Sequence, residues 1–350
     1  MLLTPGPVAV PQEIRDAQAK EMIYHRGPEM KELLKDVATK LKADFNAENF
    51  YIVTGSGTAG IEMCVANCVK PQENVLVLSN GTFGDKLANC AEIYGKVQKV
   101  SQPIGKGWSL ERAKEAIDNS NATVLAMVYN ETSTGVLNDA KGICNYAKKK
   151  GMLTIVDAVS AWAAAPLDCR EFGIDAVASG SQKAIGCPPG LSFVAMGNEA
   201  VEKAQSHAAR TFYLDVRKYK KEMETFQTPT TPAVSLLYAV QAALGVIEKK
   251  GGFAAHRKRH EEGAAYSREF VKSLEREVFA QSGFYSPTIT GFILENADEV
   301  RKTLKEKYGL VTARDFGELR GRFFRVCHIG HFTKEELDVA FGYIREVLGK

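Results

Sequence analysis

The sequence predicts an α/β protein in which a large, mostly parallel β-sheet is sandwiched by helices, with a smaller α+β part at the C-terminal end. From about residue 50, short apolar runs alternate with helix-length amphipathic segments, a pattern typical of parallel sheets covered on both faces. Apolar residues make up 45% and charged residues 25% of the 350 positions, which is ordinary for a globular protein with a sizeable core. Beyond Ser235 the alternation gives way to a long helical region.

The N-terminal elements follow from the spacing of apolar residues. Helices are predicted over Pro11–Glu21 and Pro28–Lys42, because apolar side chains such as Leu33, Val37 and Leu41 share one helical face. The predicted strands are Phe50–Val53, Val75–Leu78, Lys96–Val100, Thr123–Val128, Leu153–Val156, Ala176–Ala178 and Leu191–Ala195. The predicted helices between them are Ile61–Val69, Gly84–Tyr94, Leu110–Ile117 and Ala140–Lys149.

The C-terminal third has a different order of elements. A helical region from Val234 toward Leu274 is broken at Gly251-Gly252. Strands are predicted at Thr288–Leu294 and Arg322–Val326, and helices at Ala297–Lys305 and Thr333–Leu348. We therefore predict an N-terminal arm over residues 1–20, a large domain over 21–240 and a small domain over 241–350.

Charge and composition argue against several classes of partner. The 45 basic and 42 acidic side chains give a net charge of +3, too little for a broad nucleic-acid-binding face. The apolar stretch 233–247 is shorter than the ~20 residues of a membrane span, and no secretory leader is visible. Seven cysteines without a disulfide-framework spacing predict reduced thiols in the cytoplasm. Cys64 and Cys68 lack a second pair, so we expect no metal site.

A glycine-rich loop, Thr54 to Gly60, follows the first strand of the alternating region. Its backbone N–H groups and the start of the next helix favour an anion, and Ser56 and Thr58 add hydroxyl donors. The loop also matches G-x-G-x-x-G, but a dinucleotide site expects an acid about 20 residues later, where Ser79-Asn80 stands. We favour a phosphate, while a dinucleotide and a purely structural turn stay open.

Two charged residues follow later strands. Asp157 comes directly after Leu153–Val156, where α/β sheets bind their ligands, although it would also serve as a helix cap. Lys183 follows the next strand and is surrounded by small and apolar residues. Burial lowers the pKa of a lysine and favours its nucleophilic free amine, whereas an ordinary solvated lysine is the alternative.

Together, a phosphate cradle, a carboxylate and a nucleophilic lysine are what pyridoxal phosphate requires. Lys183 would form a Schiff base with the aldehyde, and Asp157 would keep the pyridine nitrogen protonated. Phe83 would supply a flat face for the ring, or would simply be a core aromatic residue.

At this point the sequence resembles a known family, the class V, fold-type I aminotransferases of the alanine/serine–glyoxylate type. The resemblance spans most of the chain and is carried by Leu3–Pro7, Thr54–Glu62, Asn80–Gly84, Glu131–Val136, Val156–Ser160, Ser179–Gly190 and Phe324–Val326. It implies a pyridoxal 5'-phosphate cofactor and a fold-type I architecture.

The resemblance also implies residue roles. Lys183 and Asp157 would be catalytic, and Phe83 would stack on the ring. The phosphate would be contacted by Ser56, Gly57, Thr58 and Gln182. Ser133 would hydrogen-bond the ring oxygen, Val159 would pack behind the ring, and Gly6 would lie near the substrate. Gln227 and Thr230 would reach the phosphate of the neighbouring subunit, which implies a homodimer with shared active sites.

Strand alternation places Phe323 and Arg325 on one face of the strand Arg322–Val326. The resemblance makes Arg325 the clamp for the substrate carboxylate, and a guanidinium matches a carboxylate bidentately. His328 and His331 follow it and either line the mouth of the site or pack in the core. His256 and His260 flank three basic residues, which predicts a solvated helix face.

The predicted function is amino transfer from a small amino acid, alanine or serine, to a 2-oxo acid such as glyoxylate or pyruvate. A cysteine desulfurase is the nearest alternative, with Cys327 as its late cysteine, although Gln182 and Phe83 stand where that relative typically has histidines. An NAD-dependent dehydrogenase built on Gly55, Gly57 and Gly60 is a second alternative. A non-catalytic subunit is a third, which the intact Lys183, Asp157 and Arg325 argue against.

Overall fold

The computed structural model describes residues 1–315 and 317–350. Helices and strands alternate along the first 150 residues. In chain order they are β1 (Leu2–Leu3), α1 (Gln12–Ala17), α2 (Pro28–Phe45), β2 (Asn49–Thr54), α3 (Gly57–Cys68), β3 (Asn74–Ser79), α4 (Thr82–Tyr94), β4 (Lys96–Ser101), α5 (Leu110–Asp118), β5 (Val124–Val128), β6 (Asn130–Glu131), β7 (Val136–Leu137) and α6 (Ala140–Lys149).

The remaining elements begin with the last three strands of the large sheet. They are β8 (Leu153–Asp157), α7 (Cys169–Phe172), β9 (Ala176–Gly180), β10 (Leu191–Met196), α8 (Asn198–Gln205), α9 (Val216–Met223), α10 (Val234–Lys249), α11 (Gly252–Ser273), β11 (Ile289–Ile293), α12 (Ala297–Tyr308), β12 (Val311–Thr312), a 3-10 turn (Gly317–Leu319), β13 (Phe323–Cys327) and α13 (Lys334–Leu348).

Among the described residues, seven strands form one large sheet in the order β2-β10-β9-β8-β5-β3-β4. The pairs formed among β3, β4, β5, β8 and β9 are parallel, whereas β10 runs antiparallel to both of its neighbours. The seven strands predicted between residues 50 and 195 all lie in this sheet, so the predicted α/β fold class is confirmed. The carboxyl ends of the parallel strands meet at one edge, where α/β sheets bind ligands.

Helices cover both faces of the sheet and create two apolar cores. One core lies under α1, α2, α6 and α10, and the other under α3, α4 and α8. The interior strand β5 is buried along its whole length, which is why it is a continuous apolar run. The edge strand β4 instead exposes Lys96 and Lys99, and charges of this kind discourage pairing with another chain.

The C-terminal elements enclose a third apolar core. Strands β11 and β13 pair antiparallel, and α11, α12 and α13 pack with them around Phe292, Phe324 and Ile344. The predicted break in the helical region is present, because α10 ends at Lys249 and α11 begins at Gly252. The domain boundaries at residues 20 and 240 stay a prediction.

The N-terminal segment joins this C-terminal part. Strand β1 pairs parallel with β12, with Leu2 opposite Val311 and Leu3 opposite Thr312. Within the described residues, no helix combines the length and the apolar character that crossing a bilayer requires.

Candidate active site

A cavity of about 280 Å³ lies where β8 and β9 end and where α3 and α4 begin. Eight residues singled out from the sequence line it: Gly6, Gly57, Thr58, Phe83, Asp157, Val159, Gln182 and Lys183. Ile61, Lys86, Leu87, Cys90, Asn130, Thr132 and Ser160 complete the lining. The fold therefore brings together residues that are as much as 177 positions apart in the sequence.

Lys183 lies in the turn that follows β9, and only 9% of its surface is exposed. Its Nζ donates a hydrogen bond to the Pro5 carbonyl oxygen at 2.7 Å. Burial, with the positive charges of Arg325 and Lys86 acting in the same direction, lowers the pKa of Lys183 to about 8. The free amine, the form that attacks a carbonyl carbon, is therefore far more populated near neutral pH than in an ordinary exposed lysine.

Asp157 is the last residue of β8, and its Oδ1 accepts a hydrogen bond from the Val159 N–H at 2.9 Å. Burial raises the pKa of Asp157 to about 6, and the neighbouring Glu131 acts in the same direction. Because desolvation penalises the ionised carboxylate, a cationic partner inside the cavity would stabilise it. A protonated ring nitrogen is such a partner.

The start of α3 forms an anion cradle. The first N–H groups of a helix have no partners within the helix, and they are available to an anion. A Cβ at Gly57 would come within 2.7 Å of Val159 Cγ2, so glycine is required for this close approach of α3 to the β8 end. Thr58 is exposed to the cavity, and Gln182 Oε1 is buried with no hydrogen-bond partner in the described part of the chain. Ser56 is the N-cap residue of α3 and is exposed.

Glu131 is a residue of the site that sequence reasoning missed. Its side chain is fully buried, and its Oε2 accepts hydrogen bonds from the N–H groups of Phe83 at 3.1 Å and Gly84 at 3.0 Å. A carboxylate at the start of α4 is favoured by the helix dipole, and here it fixes the segment that carries Phe83. The available signal was an acid placed directly after Tyr129-Asn130 at a strand end.

Ser133 does not line the cavity. Its hydroxyl is hydrogen-bonded to Glu131 and accepts the N–H of Thr82 at 3.2 Å. The neighbouring Thr132 lines the cavity instead, and its hydroxyl lies 2.7 Å from that of Ser160.

Arg325 is buried in β13, just behind the cavity lining. Its Nη1 donates to the carbonyl of Thr132 at 3.1 Å, and its Nη2 donates to the carbonyl of Arg314. Its Nε lies 3.8 Å from Asp315 Oδ1, and the other oxygen of Asp315 accepts from Arg301 at 2.9 Å. Arg301 also donates to the exposed Asp298, so this cluster pairs two guanidinium groups with two carboxylates beside the cavity.

The remaining predicted residues fall into two groups. Gly6 lines the cavity with φ at +140°, and a Cβ there would lie 2.8 Å from Lys183 Nζ. Gln227 and Thr230 lie outside the cavity of their own chain. The side chain of Gln227 accepts a hydrogen bond from Arg26 at 2.9 Å, and the Thr230 carbonyl accepts one from the Thr228 hydroxyl.

The expectation of a solvated face at His256 and His260 is wrong. Both rings are buried, because they hydrogen-bond to backbone groups of packed segments rather than to water.

Cys327 is 3% exposed, and burial raises the pKa of its thiol to about 12. Among the described residues, no group of three or more His, Cys, Asp or Glu side chains is arranged to hold a metal ion.

Comparisons with known proteins agree on one family. The family model "Aminotransferase class-V" matches residues 12–313. An uncharacterised aminotransferase of Methanocaldococcus jannaschii is 35% identical over 345 residues, covering 96% of this chain and 89% of that protein. A Synechococcus protein named as the small subunit of a soluble hydrogenase is 31% identical, covering 100% of this chain and 93% of its own. The crystal structure of the alanine–glyoxylate aminotransferase of Nostoc sp. superposes with a TM-score of 0.95 at 28% identity, covering 99% and 94% of the two chains.

Proposed function

The chain belongs to the class V aminotransferase family, and we propose that it moves an amino group from alanine or serine to a 2-oxo acid such as glyoxylate or pyruvate. Its cofactor is pyridoxal phosphate. When bound, this cofactor supplies an aldehyde and an electron-poor ring that withdraws electrons from the substrate's Cα.

The residues of the cavity fit this cofactor. The NH2 group of the Gln182 side-chain amide and the cradle at Gly57 suit a phosphate, and the buried carboxylate of Asp157 suits a protonated ring nitrogen. We assign the phosphate to Ser56, Gly57, Thr58 and Gln182, and the two ring faces to Phe83 and Val159. Lys183 would hold the aldehyde carbon and then carry the proton that leaves Cα.

One observation carries the proposal: Lys183 and Asp157 share one cavity with the N-terminus of α3. A cavity of about 280 Å³ has to hold both the cofactor and the substrate, which favours a small amino acid. The Arg325 guanidinium lies directly behind Thr132, and we propose that it attracts the substrate carboxylate.

The two enzyme alternatives gain no support. A desulfurase needs a mobile and reactive cysteine, whereas Cys327 is buried in a strand with its pKa raised to about 12. A dinucleotide site needs an acid after β3. Instead, the Asn80 side chain donates to the carbonyl of Lys106 and to Asn138.

The test is a half-reaction screen on the cofactor-loaded enzyme. Alanine, serine, aspartate and cysteine are added singly while the absorbance of the bound cofactor is followed. We expect alanine or serine to remove the yellow colour, and glyoxylate or pyruvate to restore it. A response to aspartate alone, or sulfide release from cysteine, would contradict the proposal. Lys183→Ala should be inactive, with Lys258→Ala, a change at an exposed lysine, as the matched control.

We further infer that the enzyme works as a cytoplasmic homodimer. Met22, Tyr24 and Phe212 are 68%, 69% and 81% exposed, and large apolar side chains of this kind suit a subunit interface. All seven cysteines are unpaired, as expected in a reducing compartment. Sedimentation should give a dimer, and mixing inactive Lys183→Ala subunits with inactive Gln227→Ala subunits should restore activity. A monomer with full activity would contradict the proposal that the active sites are shared between two subunits.

A further inference from the structure

The turn that follows Lys183 is held by histidine side chains. The Lys183 carbonyl accepts the N–H of Gly186 at 2.9 Å, which closes the turn. The next two carbonyls, of Ala184 and Ile185, belong to neither a helix nor a strand, and both residues are buried. A buried carbonyl without a partner is costly, so these two groups need donors from elsewhere in the chain.

Two histidines supply those donors. His256 on α11 places its Nε2 2.8 Å from the Ala184 oxygen, and His331 places its Nε2 3.0 Å from the Ile185 oxygen. A carbonyl oxygen only accepts hydrogen bonds, so both rings carry their proton on Nε2. Burial lowers the pKa of His256 to about 2 and of His331 to about 4, so both rings stay neutral around neutral pH.

The contact is also steric. Gly186 has φ at +72°, and a Cβ on it would lie 2.3 Å from Cδ2 of His331. The rings of His256 and His331 are 5.4 Å apart, so the turn faces two adjacent side chains that leave it little room to shift.

A third histidine ties this pair to the segment that follows β13. His260 accepts the N–H of Gly330 at 3.1 Å and donates to the carbonyl of His256 at 2.8 Å. A Cβ on Gly330 would lie 3.1 Å from Val8 and 3.8 Å from the Lys183 carbonyl oxygen. Helix α11, the segment after β13, the N-terminal arm and the lysine turn therefore meet at one point.

We propose that His256 and His331 are positioning residues that hold the turn after Lys183, so that its amine stays in place for amino transfer. The inference rests on the proposed role of Lys183. Neither ring lines the cavity, so both act through the backbone carbonyls of Ala184 and Ile185.

His328 provides a matched control. His328 is as fully buried as His256. Its ring, however, is hydrogen-bonded to the Pro287 carbonyl and to Thr290 rather than to the lysine turn. Loss of its ring should therefore lower stability and leave the geometry of Lys183 unchanged.

The experiment compares His256→Leu, His256→Gln, His256→Asn and His328→Leu in the cofactor-loaded enzyme. A glutamine amide reaches the position of the histidine Nε2, whereas an asparagine amide falls short of it. We expect His256→Leu and His256→Asn to lower kcat about tenfold or more with little change in KM, because a buried carbonyl loses its donor. His256→Gln should restore most of kcat, and His328→Leu should lower the Tm but keep kcat.

Two readouts do not depend on turnover. The first is the rate of hydrogen exchange in the peptide spanning residues 181–190, which should rise in His256→Leu. The second is the pH at which the colour of the bound cofactor changes, which should shift in His256→Leu. Neither quantity should change in His328→Leu. The proposal is overturned if folded His256→Leu matches the wild type in both, or if His328→Leu loses as much kcat as His256→Leu. If neither leucine variant folds, equal kcat in His256→Gln and His256→Asn overturns it. Failure of the proposed function is distinguishable, because borohydride labelling of the wild type would then map away from Lys183.

Discussion

Replacing Gly6 by alanine should slow the enzyme by about ten- to a hundredfold without unfolding it. The new Cβ would lie 2.8 Å from both Cδ and Nζ of Lys183, whereas ordinary contacts begin at 3.4 Å. The lysine tail must therefore move by about 0.6 Å, and misplacement of a reacting group by ~1 Å costs on the order of a hundredfold in rate. The backbone adds a cost of about 1–3 kcal/mol, because φ at +140° is unfavourable for alanine.

The assay separates these two effects with a matched variant. Gly283 also has a positive φ, +86°, but a Cβ there would meet nothing within 4 Å. Gly283→Ala should therefore lower the Tm and keep kcat, whereas Gly6→Ala should lower kcat by about ten- to a hundredfold. Steady-state rates at saturating alanine and glyoxylate give kcat for each variant, and thermal unfolding gives the Tm. A Gly6→Ala enzyme with wild-type kcat would refute the reasoning, since it would mean that the lysine amine tolerates displacement.

Three further predictions follow from the site and its surroundings. Arg325→Lys should raise the KM for the amino acid about tenfold with a smaller effect on kcat, because an ammonium cannot bind a carboxylate bidentately; the exposed Arg322→Lys is its control, and equal KM values in the two variants would contradict the clamp. Below about pH 6.5 the unfolded chain protonates histidines that the fold keeps neutral, so stability should fall as the pH falls. Removing one of them in His328→Gln should reduce that slope by about 1.4 kcal/mol per pH unit between roughly pH 4 and 6, measured by urea unfolding, and an unchanged slope would count against it. Cys327→Ser should keep its rate of amino transfer and should lose it only if the thiol takes part in catalysis.

The sheet was predictable because its strands are short, apolar and separated by amphipathic segments. Val124–Val128 is buried on both sides and therefore shows no alternation, which distinguishes a central parallel strand from a half-exposed one. The antiparallel direction of β10 was not predictable, because an apolar run carries no mark of its direction. Helices α8 and α9 were not predicted either; they are only eight residues each, and most of their side chains are polar or charged.

In the candidate site, the charged residues predicted from the sequence stand at the end of a strand or shortly after one. Asp157 and Lys183 were identified in this way, since position in a parallel strand is visible in the sequence. Glu131 was missed, and His256 and His260 were misjudged, because their partners are backbone groups far along the chain. A hydrogen bond to a distant backbone group produces no periodic pattern in the sequence. The three basic residues between His256 and His260 also made this side of the helix look exposed, although the two histidines are buried.

The pairing of β1 with β12 sets an order of assembly during synthesis. The amino group of Met1 bonds to the carbonyl of Gly309, 308 residues further on, and the strands that hold the arm lie equally far apart. A ribosome-bound chain therefore exposes all seven strands of the large sheet before the partner of its first residues has been translated. The contact of the Pro5 carbonyl with Lys183 therefore belongs to an arm whose partner strand is translated after the whole large sheet.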